Sequence, residues 1–232
     1  MTDVQALLGL SKPPIAIAFL DSPPEGVPAW NGGQTPAGCF FWKKAQEGHA
    51  FYTVPADHYN CAVGAYTHHI RLPAERAAEL EDTIGFMVRS DYIRMEEVSG
   101  IPIFAYPPAV IAYGPAERVS FTLSVVLVAA QPAQAMLLYE AAVKAGVASG
   151  LMQTLGRPAC AVLPLAWQTD KTSISLGCKG NRTFTGLPES EMYLSIPGDK
   201  WSAVAEQVAL IARSNATMAA HYQQQQARFS TS

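Results

Sequence analysis

Apolar runs of strand length recur along the chain between Pro-, Gly- and Ser-containing turns. Residues 15–20 (IAIAFL) form one such run, which begins after two prolines and is typical of a buried strand. Residues 121–130 include the uniformly apolar VVLVAA, so we expect a central strand there. Four further segments predict strands by their β-branched and aromatic content: 50–54, 109–113, 172–176 and 192–196.

Helical periodicity is clearest at residues 73–93. Pro73 suits a first helical turn, and Leu80, Ile84 and Met87 recur at helical spacing. The same criteria predict helices at 2–10, 39–47, 132–144, 147–155 and 201–222, with a short apolar helical piece beginning at Cys160.

The order of these elements repeats. Each half of the chain reads as a strand, a cysteine with a short helix, a second strand, a cysteine followed closely by glycine, and a long helix. We therefore predict an α+β fold: one compact domain over residues 1–232, with two related halves at 1–104 and 105–232, mixed sheets, and helices on their faces.

Composition restricts the function classes. Apolar residues make up 49% of the 232 residues and charged residues 15%, which supports a large core. The net charge of −3, without a basic block, argues against nucleic-acid binding. The longest apolar run, 123–139, is interrupted by glutamines and a proline, so we expect no membrane span. The N-terminus lacks a signal-peptide pattern, and we expect a cytoplasmic protein.

The four cysteines are the main candidates for chemistry. Cys39 and Cys61 are 22 residues apart in the first half, and Cys160 and Cys178 are 18 apart in the second. In the cytoplasm such residues are thiols, metal ligands or redox groups more often than disulfides. If the two halves pack against each other, the four thiols would meet at one centre.

Six ordered motifs cover nearly the whole chain: PPIAIAF at 13–19, CxxW at 39–42, HYNCxxG at 58–64, PACA at 158–161, SLGCxGxR at 175–182 and EMYLSIP at 191–197. In this set the chain resembles the family known as domain of unknown function 169. The resemblance implies an α+β prokaryotic protein of a family without a settled activity. It carries over the four cysteines together with these neighbours: His58, Asn60, Gly64, Gly177, Asn181 and Arg182.

An iron–sulfur protein is the leading functional expectation, with a [4Fe–4S] cluster held by the four cysteines and used for redox chemistry or small-molecule processing. The nearby Gly64, Gly177 and Asn181 would supply backbone or side-chain contacts to the cofactor. Zinc is an alternative, although no close cysteine pair is present. Haem with His58 as axial ligand is another.

The polar residues beside the cysteines suggest roles in catalysis. His58 would act as a proton donor or ligand, and Arg182 with Lys179 would orient an anionic small molecule. Two other functions stay open: a cysteine-nucleophile enzyme using Cys61 or Cys39, and a non-enzymatic carrier of a cofactor or small molecule. A redox partner protein and a homo-oligomer are also open.

Overall fold

In a computed structural model of the chain, residues 2–148 and 158–229 are described. The first half contributes these elements: α1 Val4–Leu8, β1 Ile15–Leu20, α2 Phe40–Gln46, β2 Phe51–Thr53, α3 Ala62–Thr67, α4 Ala74–Arg89 and α5 Met95–Val98. The second half contributes β3 Val110–Pro115, β4 Val125–Ala130, α6 Pro132–Lys144, α7 Val162–Thr169, β5 Ser173–Ser175, α8 Lys179–Thr185, β6 Met192–Pro197 and α9 Trp201–Phe229. The predicted α+β fold is confirmed.

Local sequence signals explain where several helices begin and end. The Asp3 carboxylate accepts a hydrogen bond from the Ala6 N–H (2.9 Å) at the start of α1, and Gly9 ends that helix with φ +64°. Pro132 opens α6, where the Gln134 side chain accepts from the Gln131 N–H (2.8 Å). The predicted bounds of α6 are therefore met at both ends.

Short elements were harder to predict. Helices α3, α5 and α8 have at most seven residues, and the sequence analysis predicted no helix at any of them. A single helical turn carries too few apolar repeats for periodicity to register. Most of the helix predicted at 147–155, from residue 149 onward, lies outside the described residues.

The strands form one six-stranded sheet in the order β2-β3-β1-β4-β6-β5. All of its strand pairs are antiparallel, whereas mixed pairing was expected. Strand β4 lies in the middle of the sheet, between β1 and β6, as its uniformly apolar sequence predicted.

The sheet has an approximate twofold arrangement about the β1–β4 pair. On each side of that pair, a six-residue strand (β3 or β6) is followed by a three-residue edge strand (β2 or β5). The connection from β1 to β2 contains Cys39, and the connection from β4 to β5 contains Cys160. Cys61 follows β2 as Cys178 follows β5. The twofold arrangement relates β1, β2 and β3 to β4, β5 and β6, so β3 corresponds to a strand of the first half although the predicted boundary at 104/105 assigns it to the second. Duplication of an ancestral half stays a prediction.

Helices cover both faces of the sheet. On one face, α1, α6 and α9 enclose an aliphatic core that includes Val126, Leu138 and Val204. On the other face, α2 and α7 pack against a core with aromatic residues and cysteines, including Phe41, Trp42 and Cys160. No helix within residues 2–148 and 158–229 has the length and apolar character needed to cross a bilayer.

Candidate functional site

A cavity of about 630 Å³ lies on the cysteine-bearing side of the sheet. One part of its lining, here called the floor, comes from the segments around α2, α3, α7 and α8: Gly38, Cys39, Cys61, Gly64, His68, Cys160, Cys178 and Asn181. The other part, here called the roof, comes from α4, α5 and their connections: Leu80, Thr83, Ile84, Met87, Ile93, Val98 and Ile101. All four cysteines thus line one cavity.

Burial holds three of the floor thiols, those of Cys39, Cys61 and Cys160, in the neutral form. Burial, with added repulsion from Cys61, raises the pKa of Cys39 to about 12. Burial also raises the pKa of Cys160 well above its usual range, and the Thr67 hydroxyl donates to its sulfur at 3.2 Å. Because the thiolate is the nucleophilic and metal-binding form, these two positions favour a structural or ligand-contacting role.

Cys61 is fitted closely to Gly64. Burial raises the pKa of the Cys61 thiol, while backbone N–H groups of Gly38 and Gly64 act in the opposite direction. A Cβ atom at position 64 would lie only 2.7 Å from the Cys61 sulfur. Glycine is therefore required in HYNCxxG to make room for the thiol at the cavity wall.

Cys178 precedes the first residue of α8. Its sulfur accepts a weak hydrogen bond from the Asn181 N–H at 3.4 Å, so the thiol caps this short helix. The sequence interpretation of a tight Gly-rich turn is replaced by a helix over Lys179–Thr185.

The prediction of an iron–sulfur or other thiolate-metal protein is wrong. Within the described residues, no group of three or more His, Cys, Asp or Glu side chains is arranged to hold a metal ion. All four cysteines are free thiols that come from separate segments and surround a cavity. The repeated order of elements correctly predicted that the four cysteines lie in one region of the fold, but they are not arranged to coordinate a metal ion.

Two histidines are buried beside the thiols in neutral form. Burial lowers the pKa of His68 to about 4, and burial together with the nearby His68 lowers the pKa of His58 to about 3. The two rings are 5.8 Å apart between centroids. Only His68 lines the cavity, whereas His58 lies behind it with Nε2 bonded to the Thr53 hydroxyl (2.9 Å).

This chain matches the family model of domain of unknown function 169, described as an uncharacterised ArCR, over residues 3–207 of 232. It belongs to that family. No curated protein and no solved structure was found to match the chain. The family supplies no activity, so the function of the cavity has to be argued from its own residues.

Arg182, expected to orient an anionic molecule, instead binds the backbone of its own segment. Its guanidinium donates to the carbonyl oxygens of Leu176 (2.5 Å), Pro188 and Glu191 (2.9 Å). Gly177 makes room for it, since a Cβ at that position would lie 3.3 Å from Nε. Neither residue is part of the cavity lining.

Lys179 and Asn181 both line the cavity, in different ways. Lys179 is exposed at its edge, and its backbone N–H donates to the Tyr92 hydroxyl (3.3 Å) from the roof. Asn181 is buried in the floor, where its amide is close enough to the Cys39 thiol to lower that thiol's pKa. Together they mark the outer and inner ends of the polar side of the cavity.

The roof is the part of the site that the sequence prediction missed. The periodicity of residues 73–93 was interpreted as an ordinary core-facing helix. In the structure, neither α4 nor α5 has a buried residue within the described chain, and their apolar face lines the cavity. His68, which lines the cavity, was also not among the predicted site residues.

Proposed function

We propose that this protein binds a small, largely apolar molecule in the cavity between floor and roof. A volume of about 630 Å³ falls in the range of small-molecule sites. The walls combine aliphatic side chains of α4 with neutral thiols, which suits an apolar body better than a polar one. This function is reversible binding, as in a carrier or accessory protein.

The observation that carries the proposal is the incomplete burial of the roof. An amphipathic helix in a globular protein normally buries its apolar stripe against a core. Here Leu80, Ile84 and Met87 lie along one stripe of α4 and are only half-buried, because they face the cavity. A bound apolar molecule would remove these side chains from water and add the missing hydrophobic contact.

Neutral thiols also weigh against the nucleophile alternative. A thiol enzyme needs a cysteine whose pKa is lowered by a neighbouring cation or helix start. Burial has the opposite effect on Cys39, Cys61 and Cys160, and His58 is uncharged in its buried site. The three thiols serve binding as parts of the cavity wall that are compact, apolar and polarisable.

Binding can be tested with Nile red, an uncharged dye whose fluorescence rises in apolar surroundings. We expect saturable binding by the wild-type protein. The variant Ile84→Trp fills the cavity from the roof and should weaken binding by about tenfold or more. Ala78→Trp is the matched control, because Ala78 lies on the exposed side of α4 and should leave binding unchanged.

The result that would overturn the proposal is a folded wild-type protein that binds no Nile red. Equal affinities of Ile84→Trp and the wild type would place the dye elsewhere and also reject the cavity as its site. Mass spectrometry of an organic extract of the purified protein gives an independent readout of any molecule that is already bound.

A further inference from the structure

Two side chains in the floor have polar atoms without hydrogen-bond partners. His68 and Asn181 are each only 2% exposed, and both line the cavity. Within the described residues, Nε2 of His68 forms no hydrogen bond, and the Asn181 amide, although it lies near the Cys39 thiol and the Tyr193 hydroxyl, forms none of good geometry. Buried polar atoms are nearly always paired in folded proteins. Other unpaired buried atoms in the described residues lie away from the cavity, whereas His68 and Asn181 border a space that a ligand can enter and pair with them.

Whether Nε2 of His68 donates or accepts a hydrogen bond is decided by the contact of the other ring nitrogen, Nδ1. Nδ1 lies 2.7 Å from the carbonyl oxygen of Gly64, which can only accept a hydrogen bond. Nδ1 therefore carries the proton and donates it to that carbonyl. In a neutral ring Nε2 then has a lone pair, so it accepts from whatever reaches it in the cavity.

The charge of the ligand follows from the surroundings of these two residues. The floor supplies a neutral imidazole, an amide, and the thiols of Cys39, Cys61 and Cys160, which burial keeps neutral, and none of these groups compensates a buried ion. The charged residues in the cavity lining, Lys179 and Glu79, are both exposed at its edge, and Glu79 is paired with Arg76 (3.0 Å). A carboxylate or ammonium group brought to His68 would lose its hydration without gaining an opposite charge.

We infer that the ligand is an uncharged amphipathic molecule whose hydroxyl or amide N–H group donates a hydrogen bond to Nε2 of His68, with its hydrocarbon part against the roof. This inference rests on the proposed binding function and specifies its ligand class. The Asn181 amide offers a second point of attachment in the floor, for either a donor or an acceptor. Aliphatic alcohols and primary amides have the required chemistry.

Competition against Nile red tests the donor requirement with two isomers. Octanol and heptyl methyl ether contain the same atoms, but only the alcohol can donate a hydrogen bond. We expect the alcohol to compete about tenfold more strongly, which corresponds to one net hydrogen bond. Octanoate and octylammonium, which carry opposite charges, should both compete more weakly than the alcohol.

His68→Phe should remove the preference for the alcohol, measured as the ratio of the alcohol and ether competition constants within that variant. His49→Phe, at an exposed position, is the control and should retain it. If His68→Phe does not fold, ¹⁵N spectra of histidine-labelled wild-type protein provide the test. The Nε2 resonance of His68 should shift with octanol and not with the ether.

Equal competition by the alcohol and the ether in the wild type would overturn the inference, and so would stronger competition by octanoate. Both outcomes leave Nile red binding intact and the proposed function standing. Absence of Nile red binding would instead reject the proposed function itself. The two failures are therefore distinguishable in one titration series.

Discussion

Alternate residues of β4 and β6 point to opposite faces of the sheet, and the two sets differ in chemistry. Towards α6 and α9 they are Val126, Val128, Leu194 and Ile196, all aliphatic. Towards the cysteines they include Tyr193, and Ser195 is paired in register with Leu127. One face is a dry core without polar groups on these strands, while the other carries hydroxyls and leads to thiols and imidazoles.

The two faces of the sheet therefore differ in what they contribute to folding stability and to ligand binding. The aliphatic face has continuous buried contacts from helix to sheet, so it provides the hydrophobic free energy of folding. The cavity face leaves a wall of the roof half-buried and polar atoms of the floor unpaired. Such a face stabilises the fold less, but it can gain contacts from a ligand.

The largest effect is expected on the aliphatic face. Leu138 on α6 is fully buried, so Leu138→Ala should lower the free energy of unfolding by about 3 kcal/mol in urea titrations. On the cavity face, Ile84→Ala should cost less than about 1 kcal/mol, because Ile84 is only half-buried. Met136→Ala, exposed on α6, is the control. Equal losses for Leu138 and Ile84 would contradict the comparison.

Arg182 provides the next test, because it stabilises the cavity side without contributing to the cavity. Arg182→Met removes hydrogen bonds from a charged donor to backbone carbonyls, and should lower the free energy of unfolding by about 2 kcal/mol. Lys179→Met is the neighbouring control and should change stability little. If Arg182→Met instead weakened octanoate binding and left stability unchanged, Arg182 would have the anion-orienting role that the sequence analysis expected.

The buried histidines predict a loss of stability in acid. Below pH 6.5 the unfolded chain binds protons that folded His68, with its pKa lowered to about 4, does not bind. Stability is therefore fully present above pH 6.5 and falls as the pH decreases, by about 2 kcal/mol at pH 5 for one such histidine. Unfolding titrations across this range measure the slope. The double variant His58→Gln, His68→Gln should lose less stability between pH 6.5 and pH 5 than the wild type. An unchanged pH dependence of the free energy of unfolding would contradict the conclusion that these histidines are buried in neutral form.

The smallest effect distinguishes two helical glycines. Gly64→Ala places a Cβ 2.7 Å from the Cys61 sulfur, so it should destabilise the protein by about 1 kcal/mol. At Gly180 the nearest contact of a new Cβ is the Phe184 ring at 3.9 Å, so Gly180→Ala should be neutral or stabilising by about 0.5 kcal/mol. Thermal unfolding of the two variants gives the sign of each change, and a neutral or stabilising Gly64→Ala would exclude a tight Gly64–Cys61 fit.

Much of the sheet could be predicted, because long apolar runs such as β1 and β4 specify buried strands by themselves. The floor was only partly predictable. The four cysteines share a cavity as their placement in the two halves suggested, yet their protonation depends on burial, which single positions do not encode. The acceptors of Arg182 were not predictable either, since any residue supplies a backbone carbonyl.

The roof also shows what the spacing of apolar residues along a helix cannot predict. Leu80, Ile84 and Met87 have the spacing of a core-facing helix, and periodicity cannot distinguish a helix facing a core from one facing a cavity. The distinguishing quantity is the volume left beneath the helix. That volume is set by the packing of floor segments far away in the sequence, such as the one around Cys178.

The connection that carries the roof leaves the body of the protein and rejoins it at almost one point. The Phe104 N–H donates to the Thr67 carbonyl (3.0 Å), and His69 Nδ1 donates to the Phe104 carbonyl (2.8 Å). Because its two ends are tied together, the intervening segment can change in length or sequence while β2 and β3 keep their register. The sequence of this segment can thus be exchanged to change the shape of the cavity, while the sheet that holds the four cysteines in place is left unchanged.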